Sequence, residues 1–193
     1  YASAKKNKTV NKKVEVSMNE DLKKVRLIVM DVDGTLTDGS VYIGKTGEVC
    51  KRFHIKDGLG IRVGIESGIE FMILTGRKST MVEHRAKELG IQYVYQGISD
   101  KETFLKEYMK EHNLKRDELA YFGDDLNDYK AMKLAGFVAC PVDAAFEIQE
   151  ISDYVSEKKA GEGAVRDILQ YLLKERLEWD KTISRVYGIV KEG

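Results

Sequence analysis

Cysteine, proline, long apolar stretches and net charge are all scarce in this chain of 193 residues. Two cysteines, Cys50 and Cys140, allow one bridge at most. That excludes a disulfide framework and makes a reducing cytoplasm the expected compartment. No uninterrupted apolar run exceeds about four residues, as in Leu27-Ile28-Val29-Met30, against the ~20 that a transmembrane helix needs, and no secretory leader is expected. Thirty-two Lys plus Arg balance 32 Asp plus Glu, so no whole-molecule field draws the chain to nucleic acid or an anionic membrane. Charge on a ligand must be met by local groups. What is present is 42% apolar and 33% charged residues, a globular balance unlike that of disordered chains. The length suits one domain with a sizeable core.

The first twenty residues hold five Lys and two Glu, with no aromatic after Tyr1 and no helical or strand period. They read as a polar tail, disordered or vector-derived, ahead of a single domain over 21–193. From Val25 onward, short runs rich in Val, Ile, Tyr and Phe alternate with longer segments of helical period. The runs are Val25–Met30, Ile69–Leu74, Ile91–Tyr95, Leu119–Phe122 and Phe137–Cys140. This alternation predicts βαβ units and an α/β doubly wound, mostly parallel sheet, and continuous apolar runs such as Phe71-Met72-Ile73-Leu74 predict strands covered on both faces. Val41–Ile43 and Glu48–Phe53, joined by Gly44-Lys45-Thr46-Gly47, read as a β-hairpin directly after the first strand. Val165, Ile168, Leu169, Leu172, Leu173 and Leu177 form the apolar stripe of a last long helix. Pro141 follows a strand, where a loop belongs.

Ligands of doubly wound sheets collect beyond the carboxyl ends of the strands. There the first strand runs into Asp31-Val32-Asp33-Gly34-Thr35-Leu36-Thr37-Asp38-Gly39, the second into Thr75-Gly76-Arg77 and the fourth into Gly123-Asp124-Asp125-Leu126-Asn127-Asp128, with Lys101 beyond the third. Asp31, Asp33 and Asp124 together make an all-oxygen anionic cluster suited to a hard cation such as Mg2+. Any one acid at a strand end is more simply a cap for a helix or turn; Asp-x-Asp-Gly-Thr combined with a later Asp-Asp-x-x-x-Asp is far more specific.

These motifs, in this order over Val25 to about Arg166, resemble those of the haloacid dehalogenase superfamily of aspartate-nucleophile phosphotransferases. The resemblance implies that Asp31 is the nucleophile, Asp33 the general acid/base and Thr75 and Lys101 the phosphoryl holders. It implies Mg2+ at Asp31, Asp33 and Asp124, with Asp128 behind them and Asp125 either ligand or cap. About forty residues separate the first strand from Thr75, room for the hairpin and one helix but not for the cap domain common in the superfamily. Capless members close their sites with neighbouring subunits, which implies a homo-oligomer, a tetramer by resemblance, with the hairpin at the contact.

Within the capless branch, Phe53-His54-Ile55-Lys56-Asp57-Gly58-Leu59-Gly60 and Gly161-Glu162-Gly163-Ala164-Val165-Arg166 resemble phosphatases acting on an eight-carbon keto-acid sugar 8-phosphate of lipopolysaccharide synthesis. That resemblance implies substrate contacts at Asp33, His54, Ile55, Lys56, Asp57, Gly58, Arg62, Arg77, Arg85 and Lys101. Arg suits the sugar carboxylate because its planar fork donates two parallel hydrogen bonds. Arg85 reads equally as a solvated helix residue beside Glu83, Lys87 and Glu88, and His54 equally as a packing residue. His84 and His112 belong to surface helices. A nine-carbon keto-acid sugar 9-phosphate is the alternative substrate. Outside phosphatases, a phosphoaccepting receiver module would take its acceptor from a middle strand, and a catalytically silent assembly domain would tolerate loss of Asp33; motif order disfavours the first and the retained Asp33 the second. Residues from Glu175 to Gly193 either continue the last helix or fold over a cleft, with Tyr187-Gly188 as a bend.

Overall fold

A computed structural model describes residues 20–190; the expected polar tail falls, but for its last residue, outside the described residues. Six strands form one parallel sheet, β1 (Leu27–Met30), β4 (Glu70–Thr75), β5 (Tyr93–Gln96), β6 (Leu119–Phe122), β7 (Phe137–Cys140) and β8 (Tyr154–Val155). Their order is β5-β4-β1-β6-β7-β8. The chain winds outward from β1 through β4 to β5, then crosses to β6 and winds the other way, so the topological switch point lies between β1 and β6. The hairpin is β2 (Tyr42–Gly44) with β3 (Gly47–Cys50), antiparallel and outside the main sheet. β8, two residues at the edge, has no apolar run to announce it.

Alternation along each strand builds two cores. Ile28, Met30, Phe71, Ile73 and Phe122 face one side, where they meet α1 (Ile55–Glu66), α2 (Thr80–Leu89), α6 (Ala164–Glu175) and α7 (Trp179–Tyr187). Leu27, Val29, Met72, Leu74, Leu119 and Tyr121 face the other, against α3 (Lys101–Glu111), α4 (Tyr129–Met132) and α5 (Phe146–Ile151). Every residue of β1 is buried, which accounts for its unbroken apolar run. α1 and α6 pack backbone to backbone: a Cβ on Gly60 would lie 3.2 Å from Arg166 Cα.

The apolar stripe of α6 is buried as expected from Val165 to Leu173, but Leu177 is not part of it. The helix ends at Glu175, Leu177 takes φ +61° and its side chain is exposed. The chain then reverses into α7, whose Trp179 ring lies under the Arg166 guanidinium at 4.7 Å. Gly188, at φ +67°, closes α7 and supplies the bend expected at Tyr187-Gly188. No helix of the described residues is long and apolar enough to cross a membrane.

Candidate active site

Two neighbouring strands deliver the acids. Met30 pairs with Ile73 on one side and Phe122 on the other, so Asp31 and Gly123-Asp124 leave β1 and β6 side by side, at the switch point. The Asp31 N–H donates to the Phe122 carbonyl at 3.0 Å. The chain then turns sharply at Gly34, whose φ is +94°, and a Cβ there would fall 2.0 Å from Asp124 Oδ2. Only glycine lets the turn and that carboxylate share the space. Thr35 Oγ1 donates to Asp124 Oδ1 at 3.0 Å, so the loop after β1 orients the acid from β6.

Carboxylate oxygens of Asp31, Asp124 and Asp128 all lie within 4.8 Å of one another. Among them sits Lys101, the first residue of α3 and 2% exposed; its Nζ donates to Asp31 Oδ1 at 2.6 Å and Asp128 Oδ1 at 2.7 Å. Asp100 caps this helix by accepting from the Thr103 N–H at 3.0 Å, which fixes where Lys101 begins. Burial, reinforced by the Asp128 charge, pushes the Asp31 carboxyl up to about 6. Burial and the charges of Asp31 and Asp128 push Asp124 up to about 8. Burial opposes the Lys101 ammonium, yet its two carboxylate partners outweigh burial and hold it above its ordinary value. One ammonium therefore does not offset three clustered acids. An all-oxygen donor set short of positive charge fits a divalent hard cation.

Asp33, expected among the metal ligands, has its side chain turned elsewhere. Its carboxylate is not in the acid cluster; it pairs with Lys51 Nζ, and Arg77 Nε lies 3.7 Å away. Lys51 also meets Glu48 at 3.0 Å, and Arg77 Nη2 lies 3.7 Å from Glu48. The cations of the hairpin and of the β4 loop thus draw the Asp33 carboxylate away from the acid cluster. Asp128 instead completes the cluster: it is fully buried, with Oδ1 accepting from Lys101 and from Tyr121 Oη at 2.8 Å, and Oδ2 accepting from the Asp124 N–H at 3.3 Å. Asp125 is exposed and accepts from the Leu126 N–H at 2.8 Å, a turn contact. Thr75 ends β4, 2% exposed, with the Arg77 N–H 3.5 Å from its hydroxyl.

The residues expected to contact substrate divide into two groups. Lys101 is within the acid cluster, and Asp33 and Arg77 face each other outside it. Ile55, Lys56, Gly58, Arg62 and Arg85 line a separate cavity of about 370 Å³ between α1 and α2, with Leu59, Glu88 and Leu89. There Arg62 pairs with Glu66 at 3.0 Å and Arg85 with Glu88 at 2.8 Å. Asp57, expected to meet substrate, is 2% exposed, and its Oδ1 accepts the Arg166 N–H at 2.7 Å, capping the start of α6 from α1. His54 packs beside Gly163, where a Cβ would lie 3.5 Å from its Cε1. Sequence reasoning passed over Lys51, Glu48 and Tyr121. Nothing marks Lys51 among 32 cations until the hairpin folds back onto Asp33.

A family described as haloacid dehalogenase-like hydrolase matches residues 94–169. The 3-deoxy-D-manno-octulosonate 8-phosphate phosphatase KdsC of Escherichia coli K12 is 40% identical over 149 residues, 77% of this chain and 79% of that protein. A solved structure of 3-deoxy-D-manno-octulosonate 8-phosphate phosphatase from Moraxella catarrhalis, in complex with magnesium ion, phosphate ion and a KDO molecule, is 39% identical. It superposes with a TM-score of 0.83 over 88% of this chain and 97% of that one. A haloacid dehalogenase superfamily (subfamily III A) hydrolase structure from Legionella pneumophila has a TM-score of 0.84 at 31% identity, over 93% of this chain and all of that one.

Proposed function

The chain belongs to the 3-deoxy-D-manno-octulosonate 8-phosphate phosphatases, haloacid dehalogenase-like hydrolases, and on that premise we propose that it hydrolyses this sugar phosphate to the free sugar and inorganic phosphate. The observation that carries the reading is the buried Lys101 ammonium held between Asp31 and Asp128, beside Asp124. One oxygen of Asp31 is fixed by Lys101, and the other is the nucleophile. Its attack on phosphorus gives an aspartyl-phosphate and breaks the bond to the sugar oxygen, dividing one hard displacement into two easier ones. Asp33 stands apart from the cluster and donates a proton to that departing oxygen. It then takes a proton from the water that splits the intermediate. Lys101 and Thr75 hold the phosphoryl oxygens as charge develops on them. Asp31 and Asp124 would hold Mg2+, which would supply the remaining positive charge there.

The same reading assigns a role to the separation of the two cationic groups. Arg77 and Lys101 serve the phosphate end in one protomer, and Lys56, Arg62 and Arg85 offer charge at a cavity lined by none of the catalytic residues. Tyr42, Ile43 and Val49 of the hairpin are exposed, Ile43 at 71%, an apolar surface on a charge-balanced chain. A homo-oligomer, a tetramer by family resemblance, buries these residues and brings cations of one copy to the site of another. We infer that the reaction runs in the cytoplasm and supplies a lipopolysaccharide sugar, a reading that rests on family resemblance.

The test is Mg2+-dependent phosphate release across eight- and nine-carbon keto-acid sugar phosphates, alongside Asp31→Asn. The expected result is preference for the eight-carbon ester and no turnover by a folded Asp31→Asn protein. Preference for the nine-carbon ester overturns the substrate assignment, and normal turnover by the variant overturns the nucleophile.

A further inference from the structure

Tyr121 is fully buried in β6, on the face covered by α3, α4 and α5. A tyrosine hydroxyl in such a place needs a partner, and it has one: Asp128 Oδ1 at 2.8 Å. The same oxygen accepts from Lys101 Nζ at 2.7 Å, and Lys101 donates to Asp31 Oδ1 at 2.6 Å. Four side chains thus form one buried series from the core to the nucleophile, Tyr121, Asp128, Lys101 and Asp31. Lys101 sits almost midway between two carboxylate oxygens, so its position is a balance of two attractions. We propose that Tyr121 is a positioning residue of the phosphatase reaction, its hydroxyl occupying part of the acceptor capacity of Asp128 so that Lys101 stays aligned with Asp31 and with the phosphoryl group.

The inference rests on the functional reading above and adds to it a residue that touches neither phosphate nor metal. An O–H donor on Asp128 weakens the pull of that carboxylate on the shared ammonium. Without the donor, Asp128 competes harder, Lys101 moves off Asp31, and the ammonium is misplaced where charge develops in the transition state. Burial, with the charges of Asp128 and Asp31, holds the phenol well above its ordinary range, so it stays a donor at every working pH. Binding of the sugar portion does not involve this series, so the loss should fall on kcat.

The experiment compares Tyr121→Phe, which keeps the ring and removes only the hydroxyl, with the wild-type enzyme in Mg2+. The expected result is a folded protein whose kcat is roughly tenfold lower with KM within about twofold. In a double-mutant cycle with Asp128→Asn, the combined variant should be little worse than Asp128→Asn alone. Fluorotyrosine at 121, which restores a donor of the same shape, should recover most of kcat. Wild-type kcat in Tyr121→Phe, equal losses in the Phe and fluorotyrosine proteins, fully multiplicative effects in the cycle, or failure of Tyr121→Phe to fold would each overturn the proposal. An inactive wild-type protein would instead overturn the functional reading beneath it.

Discussion

Lys101→Met removes the positive charge at the centre of the site and leaves the shape of the side chain nearly unchanged. The ammonium is 2% exposed and within 2.7 Å of oxygens on Asp31 and Asp128. Deleting one partner of a buried ion pair costs about 3–5 kcal/mol because the other charge is left uncompensated. Here two carboxylates are left within 4.8 Å of each other and of Asp124. Proton uptake limits the penalty. Asp31 already sits at about 6 with Lys101 present, and without it the carboxyl rises further, so the variant is protonated at pH 7 where the wild type is not. A raised carboxyl stabilises the fold at low pH and loses that contribution as pH climbs through the folded value. Between pH 5 and 7 the wild type loses it only up to about 6, the variant across the whole interval. The difference is about one pH unit, or ~1.4 kcal/mol. Urea unfolding in EDTA should therefore show a deficit of about 3–5 kcal/mol at pH 7 that narrows by about 1.4 kcal/mol at pH 5. Turnover at pH 7 with Mg2+ should fall about 10²–10³-fold, as when one transition-state donor is lost. Equal stability of the two proteins at pH 7, or a deficit unaffected by pH, would refute the placement of Lys101 between two ionised acids.

Asp33→Asn should lower kcat by about 10²–10⁴-fold and let phosphate accumulate on Asp31 from an activated donor, seen as a phosphate-sized mass increase; wild-type rates would refute its acid–base role. Gly34→Ala forces a Cβ to within 2.0 Å of Asp124 Oδ2 at φ +94°; it should destabilise by more than about 2 kcal/mol and raise the Mg2+ concentration needed for activity, and unchanged activation by Mg2+ would count against the shared space. In metal-free protein, Asp31 at about 6 and Asp124 at about 8 are both raised, so stability is full below the ordinary carboxylate value near 4 and declines as pH rises through 6 and 8. Mg2+ replaces those protons, so its effect on Tm should be larger at pH 8 than at pH 5; an equal shift at both would argue against binding among these acids.

The sheet could be read directly because burial on both faces leaves a continuous apolar run, and each of the five runs became a strand within about two residues. Asp31, Thr75, Lys101 and Asp124 were legible for a related reason: parallel strands present their carboxyl ends to one edge, so residues after each strand gather whatever their separation in the chain. Side-chain direction was not legible. Asp33 and Asp128 belong to motifs of the same residue type, yet Lys51 and Arg77 draw one carboxylate out of the acid cluster, while Tyr121 and Lys101 hold the other beside Asp31. Asp57 lay in a stretch whose family resemblance implies substrate contact, and the packing of α1 on α6 made it a helix cap.

Local pattern determined which segments form strands and helices and which acids lie at strand ends, because backbone hydrogen bonding and burial act over a few residues. Tertiary structure alone decided which cation faces which acid. Lys51 and Asp33 are 18 residues apart and Lys101 and Asp31 are 70 apart, and the electrostatic energy of a buried charge depends on distance through space and on exclusion of water, neither of which is written in the order of residues.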